Sequence, residues 1–163
     1  MISPKLEKGP DIFIEICKKL NIDKWNVEVL LGGNRRQYVI RELEKLGIKY
    51  KYFKNANIET VNKMYSACDI YIVSSRCEGG PQAVFESSAT KTNILSTDVG
   101  QARRILDSKC IYSVDNSTGK VLYKIPDSSA IDANYKNILK YDIRNYIKNY
   151  DNIMLKTAEA KLK

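Results

Sequence analysis

Short apolar runs alternate with amphipathic helical patterns along this chain, and few folds fit such an alternation. It is typical of βαβ units, in which parallel strands form a sheet with helices on both faces. The predicted strands are Val27–Leu31, Lys49–Phe53, Ile70–Ser74, Asn93–Thr97 and Ile111–Val114. Several end at Gly, Asn or Ser, as strand-to-helix turns do. The sequence therefore predicts an α/β fold with a Rossmann-like parallel sheet.

The segments between these runs carry apolar residues at helical spacing, as Ile12, Ile16 and Leu20 do in the first of them. The predicted helices are Asp11–Leu20, Arg36–Leu46, Ile58–Cys68, Gln82–Thr90 and a basic helical tail from Tyr135, within about residues 130–163. Val121–Ile125 is an ambiguous extended stretch. A doubly wound sheet normally begins with a central strand, whereas this chain begins with a loop. We therefore expect the first strand to be missing or truncated.

The composition is that of one globular domain spanning residues 1–163. Hydrophobic residues make up 44% of the chain, which is enough for a sizeable core. The chain has no histidine, so any imidazole chemistry must come from another domain or subunit. Its four cysteines form no C-x-x-C pair, which argues against a metal site and for reduced thiols in the cytoplasm. No apolar run is long enough to cross a bilayer.

The formal net charge is +8, and half of this excess lies in residues 135–163, where seven Lys or Arg face three Asp or Glu. No dense basic cluster is interleaved with aromatic residues, so nucleic acid is not expected as a partner. A lysine-rich composition is the simplest explanation. A basic terminal helix that contacts an anionic membrane surface or a partner domain stays open as an alternative.

The segment from Ile70 to Gly100 carries the clearest chemistry. Its strand runs into a sharp loop with two adjacent glycines, Gly79 and Gly80, and a helix follows. Open α/β sheets bind ligands at the carboxyl ends of strands, and glycines let the backbone approach a ligand closely. Pro81 suits the first helical position. The backbone amides of the first helical turn would then face the loop and hold a phosphate.

Two carboxylates flank this loop. Glu78 lies within it, and Glu86 lies eight positions further on, inside the predicted helix. Carboxylates accept hydrogen bonds from the vicinal hydroxyls of a sugar or a ribose, so a phosphate between the two would match a nucleotide-sugar. The spacing alone is weak evidence, because Glu7 and Glu15 are equally far apart. The Ser-Ser-x-x-Glu-Gly-Gly-Pro context between a strand and a helix is what favours a site.

This segment resembles the C-terminal, donor-binding domain of the retaining GT-B glycosyltransferases of group 1, whose signature is Glu, seven residues, Glu. The pattern is intact from Glu78 to Glu86. Further segments resemble the family in the same order: Lys8-Gly9, Val27–Gly33, Met64–Asp69 and Thr97–Gly100. The resemblance covers about two-thirds of the chain, and its order and spacing are more specific than any single motif.

The resemblance implies a role for each matching residue. Glu78 would bind hydroxyls of the transferred sugar, and Glu86 would bind those of the ribose. Lys8 would neutralise the diphosphate and help the nucleotide to leave, so Lys8 and Glu78 are the predicted catalytic residues. Sugar or diphosphate oxygens would be held by backbone amides around Gly79, Gly80, Val84 and Phe85. The loop Phe53–Asn57 would lie near the base. No cofactor and no metal are expected.

Three departures from the family pattern concern this region. An Arg usually precedes the Lys by about six residues, but Met1–Ile2 occupies that place, so a second diphosphate cation is missing. After Glu86, the family's A-x-G-x-P is replaced by Ala89-Thr90-Lys91-Thr92-Asn93. After Gly100, Ala102-Arg103-Arg104 replaces the commoner Gly-x-Pro-Glu. Donor binding is still expected, whereas the rate of transfer is not predicted.

The sequence thus predicts the donor-binding domain of a retaining glycosyltransferase that transfers a hexose-type sugar from a UDP- or GDP-linked donor. The acceptor would bind to an absent N-terminal acceptor domain or to a separate subunit, so we expect half of an enzyme in the cytoplasm or at the membrane periphery. Two alternatives stay open. One is a non-catalytic nucleotide-binding module that needs a separate acceptor-domain partner, and the other is an anion-binding surface protein that acts through the basic tail.

Overall fold

The computed structural model describes residues 7–22, 25–34, 36–80, 82–115 and 117–142, together with residues 144 and 147. Its helices are α1 (Pro10–Ile22), α2 (Gln37–Lys45), α3 (Ile58–Ala67), α4 (Gln82–Ala89), α5 (Ala102–Ile105) and α6 (Ser128–Leu139), with a 3₁₀ turn at Ser108–Cys110. Its strands are β1 (Glu28–Gly32), β2 (Lys49–Phe53), β3 (Ile70–Val73), β4 (Asn93–Ser96), β5 (Ser113–Val114) and β6 (Val121–Leu122). The predicted α/β class is confirmed.

The strands form three pairs. β1 pairs with β2 in parallel, with Glu28 opposite Lys49. β3 pairs with β4 in parallel, with Ile70 opposite Asn93. The short strands β5 and β6 are antiparallel, and Ser96 of β4 makes one parallel bridge to Ile111. The expectation about the first strand falls on residues 1–6, outside the described residues.

Helix α1 joins the two parallel pairs because its apolar residues belong to two different core clusters. Ile14 and Cys17 pack with residues of β1 and α2. Ile12 and Ile16, in contrast, pack with residues of β4 and β6, Leu95 among them. A third cluster lies between α4, β4 and α6 and includes Val84, Ile94, Ile105 and Ala130. This burial fixes the carboxyl ends of β1 and β3 relative to the start of α1.

Two sequence predictions for the C-terminal part need correction. The strand predicted at Ile111–Val114 is reduced to β5, because the 3₁₀ turn before it leaves Ile111 only a single bridge. The helix predicted from Tyr135 begins instead at Ser128, where the Asp127 side chain accepts a hydrogen bond from the backbone N–H of Ala130 and caps it. Most of the predicted basic tail beyond α6 lies outside the described residues.

None of the helices in the described ranges combines the length and the apolar character that crossing a bilayer requires.

Candidate functional site

The loop that follows β3 is hydrogen-bonded both to the residues just before α1 and to the first turn of α1. The backbone N–H of Arg76 donates to the carbonyl oxygen of Glu7 at 2.7 Å. The Arg76 guanidinium donates to both carboxylate oxygens of Asp11, at 2.8 and 2.5 Å. Arg76 holds the pKa of the Asp11 carboxyl below its ordinary value through this hydrogen bond and its charge, although burial opposes the shift. The bidentate contact sets the loop against the first turn of α1.

A glycine allows an even closer approach of these two segments. Gly9 has a φ of +55°, and a Cβ there would lie 1.9 Å from the carbonyl oxygen of Ser74. The Ser74 hydroxyl in turn donates to the carbonyl oxygen of Lys8 at 2.9 Å. Only glycine fits this position, because both the backbone conformation and the contact exclude a side chain. This close contact places Lys8 beside the start of the loop that follows β3.

Two predicted residues, Lys8 and Glu78, form an ion pair with each other. The same Glu78 oxygen accepts a hydrogen bond from the Ser75 hydroxyl at 2.8 Å. Burial by itself would raise the pKa of Glu78, but the hydrogen bonds from Lys8 and Ser75 outweigh it and hold the pKa below its ordinary value. The Lys8 side chain is 63% exposed against 20% for Glu78, so Lys8 is the partner that can turn to another anion.

The carbonyl groups of the turn at Glu78–Gly80 pack against the loop that follows β4. Gly100 has a φ of +51°, and a Cβ there would lie 2.7 Å from the carbonyl oxygens of both Glu78 and Gly79. A trans peptide directs its N–H opposite to its carbonyl, so the amides of Gly79 and Gly80 point away from Gly100. Neither amide donates a hydrogen bond to a residue that the structure describes. Both glycines are also exposed.

Glu86 lies in α4, and two neutral donors hold its carboxylate. The Tyr65 hydroxyl donates to Glu86 Oε2 at 3.0 Å, and the Gln82 side-chain amide donates to Oε1 at 2.9 Å. Tyr65 is buried, and its ring stands edge-on to that of Tyr71 with the centroids 5.0 Å apart. Each oxygen thus accepts one hydrogen bond within the described part of the chain, whereas an ionised carboxylate oxygen can accept two.

The side chains of the remaining predicted residues, Val84 and Phe85, are directed into the protein. Val84 is fully buried in the core cluster with Ile94. The Phe85 ring packs edge-on against Tyr141, with the centroids 5.5 Å apart. The predicted contacts of these two residues with a ligand concern their backbone amides and stay a prediction.

Three residues near the site were not singled out by the sequence. Tyr65 lies in a segment that matches the family, but nothing in the segment assigns its hydroxyl a partner. Gln82 precedes Glu86 by four positions, the spacing at which side chains meet on one helix face. Arg36 is half-buried after β1, and its Nε donates to the carbonyl oxygen of Gly32 at 2.8 Å. The available sequence signal for Arg36 was its position shortly after two glycines, which follow a predicted strand.

Lys91 shows how one departure from the family pattern is accommodated. It occupies the place of the family's Gly at the end of α4, and it adopts the left-handed conformation with a φ of +56°. Its ammonium group lies 4.6 Å from the centroid of the Tyr135 ring, a cation–π contact. This contact holds the Lys91 side chain against α6, which contains Tyr135.

Two further observations concern the surroundings of the loop. A cavity of about 610 Å³ between the 3₁₀ turn and residues 122–127 contains none of the predicted site residues. Within the described ranges, no group of three or more His, Cys, Asp or Glu side chains could hold a metal ion.

Fold and loop together place an exposed lysine, two glycine amides and two carboxylates around the loop that follows the third strand of an α/β domain. The model of the family described as glycosyl transferases group 1 matches residues 4–151, and the chain belongs to this family. It is thus a glycosyltransferase domain, as the sequence motifs predicted. A search of the curated proteins found no match.

The fold is similar to that of the catalytic domain of cholesterol-alpha-glucosyltransferase from Helicobacter pylori. The TM-score is 0.58 at 15% sequence identity, over 92% of this chain and 91% of that one. This similarity confirms the predicted Rossmann-like, GT-B type fold. The roles of the individual site residues stay predictions.

Proposed function

We propose that this domain binds a nucleotide-sugar donor and takes part in the retaining transfer of a hexose-type sugar. The observation that carries the proposal is the combination around one loop of an exposed cation, two backbone amides with no partner among the described residues, and two separately held carboxylates. Lys8, Gly79 and Gly80 supply the first two, and Glu78 and Glu86 the third. A nucleotide-sugar presents matching groups, namely a diphosphate between two rings that carry hydroxyls.

In this proposal, Lys8 exchanges the Glu78 carboxylate for the diphosphate of the donor. Lys8 is the partner that can move, because it is 63% exposed and solvent screens its attraction to Glu78. Glu78, released from Lys8, then accepts hydrogen bonds from hydroxyls of the sugar. As the bond to the sugar breaks, Lys8, the glycine amides and the amino end of α4 stabilise the negative charge of the departing nucleotide diphosphate.

The finer details of this function rest on the resemblance to the retaining GT-B enzymes. These are the retention of anomeric configuration, a UDP- or GDP-linked donor, and an acceptor bound by an N-terminal acceptor domain or a separate subunit. We propose no metal and no cofactor, and we propose that the domain works in the cytoplasm or at the membrane periphery.

A second candidate function is a non-catalytic module that binds a nucleotide. The observation that favours it is the mutual neutralisation of Lys8 and Glu78, the two residues expected to act on the donor. The two candidates differ in whether the sugar is released. Release of UDP or GDP from the sugar-linked donor, with the anomeric configuration of the product followed by NMR, identifies the transferase. Binding without release, also with an acceptor domain added, identifies the module.

Donor binding is tested by NMR titration of the labelled domain with UDP-, GDP- and ADP-glucose. We expect one of the three to shift the amide signals of Gly79 and Gly80. Glu86→Ala should abolish this shift. Glu7→Ala is the matched control, because the Glu7 side chain is exposed and its backbone carbonyl, which the substitution keeps, accepts the hydrogen bond from the loop. No shift with any donor at millimolar concentration, or an equal loss in both variants, would contradict the proposed site.

A further inference from the structure

We propose that Tyr65 and Gln82 are positioning residues that fix the Glu86 carboxylate for recognition of the 2′,3′-diol of a ribonucleotide. The inference rests on the proposed function, since it concerns the same site. It adds the residues that decide how selectively the site recognises a ribose.

The two donors reach Glu86 from different parts of the molecule. The Tyr65 hydroxyl comes from the end of α3 and bonds Oε2 at 3.0 Å, whereas the Gln82 amide comes from the preceding turn of α4 and bonds Oε1 at 2.9 Å. The last torsion of a free glutamate side chain is broad and only weakly restricted. With one donor on each oxygen, the plane of the carboxylate is set.

Tyr65 is the rigid member of this pair. Its side chain is buried, its ring packs against Tyr71, and its backbone carbonyl accepts a hydrogen bond from the Thr92 hydroxyl at 2.7 Å. The place of its hydroxyl is therefore set by the core, before any ligand arrives. Gln82 is exposed and holds the other oxygen from the same helix.

The donors orient Glu86 without neutralising it. Both are uncharged, and no cation within the described part of the chain forms an ion pair with this carboxylate. A carboxylate accepts about four hydrogen bonds, so two positions remain for a pair of adjacent hydroxyls. A fixed, charged acceptor distinguishes a diol from a single hydroxyl, because the deoxy ligand leaves one acceptor position unpaired.

The test compares Tyr65→Phe with Tyr50→Phe. Phenylalanine keeps the ring and removes only the hydroxyl. Tyr50 is the matched control, since its hydroxyl donates to Glu44 at 2.8 Å on the protein surface away from the loop. The dissociation constants of UDP and 2′-deoxy-UDP, or of GDP and 2′-deoxy-GDP if the domain prefers guanine, are measured by calorimetry for each variant.

We expect the wild-type domain to bind the ribonucleotide more tightly than the deoxynucleotide. Tyr65→Phe should weaken ribonucleotide binding roughly fivefold, the equivalent of one hydrogen bond, and leave deoxynucleotide binding nearly unchanged. Tyr50→Phe should change neither. In a Glu86→Gln background, Tyr65→Phe should have little further effect, because the two residues act as one unit.

Two results would overturn the positioning role while the proposed function stands. One is an equal loss of both nucleotides in Tyr65→Phe, which indicates a general loosening of α3 against α4. The other is a wild-type domain that binds both nucleotides equally well. A wild-type domain that binds neither nucleotide would instead overturn the proposed function, and this inference with it.

Discussion

Glu78 is held by a cation, whereas Glu86 is held by two neutral donors, although both carboxylates flank the same loop. The pair of Lys8 and Glu78 cancels its own charge, so a ligand must first take the place of one partner. The hydrogen bonds of Tyr65 and Gln82 leave the charge on Glu86, so a ligand is simply added to it. In the function proposed above, the half of the site that binds the nucleotide would thus be ready in advance, whereas the half that binds the sugar would be completed by the donor itself.

The two halves also depend on different kinds of support. The Glu78 half relies on backbone contacts at Gly9 and Gly100 that admit no side chain. The Glu86 half relies on side-chain hydrogen bonds between two helices. Substitutions should therefore damage the halves separately, through protein stability in the first case and through ligand recognition in the second.

The largest effect is expected from Gly9→Ala. The new Cβ would meet the carbonyl oxygen of Ser74 at 1.9 Å, and the φ of +55° is strained for alanine. Because backbone lies on both sides of the contact, neither side can yield easily. We expect the free energy of unfolding to fall by about 2–4 kcal/mol, measured by urea denaturation.

Gly47→Ala is the control for this substitution. Gly47 has a similar φ of +66°, but a Cβ there would meet nothing within 4 Å. Its cost should be limited to the backbone conformation, about 1 kcal/mol. Equal losses in the two variants would show that the contact between Gly9 and Ser74 adds nothing to stability, and the separate support of the two halves would lose its basis.

The next largest effect is expected from removing the charge of Lys8, which lies in the half of the site that contains Glu78. Lys8→Met should weaken UDP binding about tenfold, because a charge-assisted contact to the diphosphate is lost. Binding of uridine, which has no phosphate, should stay unchanged. Glu78→Gln should leave UDP binding as tight as in the wild type or tighter, since Lys8 is then free. Calorimetry with both ligands measures these differences.

Lys63→Met is the matched control for Lys8→Met. Lys63 is also exposed and also pairs with a glutamate, Glu59 at 2.6 Å, but on the outer face of α3. Lys63→Met should therefore not alter UDP binding. Glu78 is paired with Lys8, whereas Glu86 is not paired with a cation of the described residues. If Glu78→Gln weakened UDP binding as strongly as Glu86→Gln, this difference would have no effect on binding, and the comparison of the two carboxylates would be wrong.

The sequence predicted the elements of the parallel pairs well, because apolar runs mark buried strands. The predicted bounds of Lys49–Phe53 are those of β2. β1 is shifted by one residue at both ends, and β3 and β4 each end one residue earlier than predicted. Helix α5 (Ala102–Ile105) was missed because four residues are too few to show a helical period. The start of α6 was missed because it is set by a capping side chain and not by apolar spacing.

For the site, the sequence supplied the residues but not their partners. Glu78 and Glu86 stood out because the glycines lie between them. Lys8 and Glu78 are 70 positions apart, and Tyr65 and Glu86 are 21 positions apart. Such pairs exist only after the helices and strands have packed, and no local pattern contains them. The sequence therefore gave no sign that the two carboxylates are held differently.

A moderate effect is expected at the cap of the helix that carries Tyr65. The Asn57 side chain accepts a hydrogen bond from the backbone N–H of Thr60 at 2.8 Å and so caps α3. Asn57→Ala should lower the free energy of unfolding by about 1 kcal/mol. Asn62→Ala, at an exposed position inside the same helix, should be neutral or slightly stabilising. Urea denaturation of both variants tests this, and a similar loss in each would exclude a specific cap.

The smallest effect, and the most direct measure of how Glu78 is held, is the response of its carboxyl to pH. In the wild type, the pKa of Glu78 should lie below its ordinary value, because the hydrogen bonds from Lys8 and Ser75 outweigh burial. Its contribution to stability is therefore present above the ordinary value of 4.5 and is lost as the pH falls through the lowered pKa. In Lys8→Met, burial remains while the cation is gone, so the pKa should rise. Carbon-detected NMR titration of the side chain follows both variants, with Lys63→Met as the control that leaves the Glu78 pKa in place. A Glu78 pKa that does not respond to Lys8→Met would mean that the ion pair does not hold this carboxylate, and the two halves of the site would then be alike.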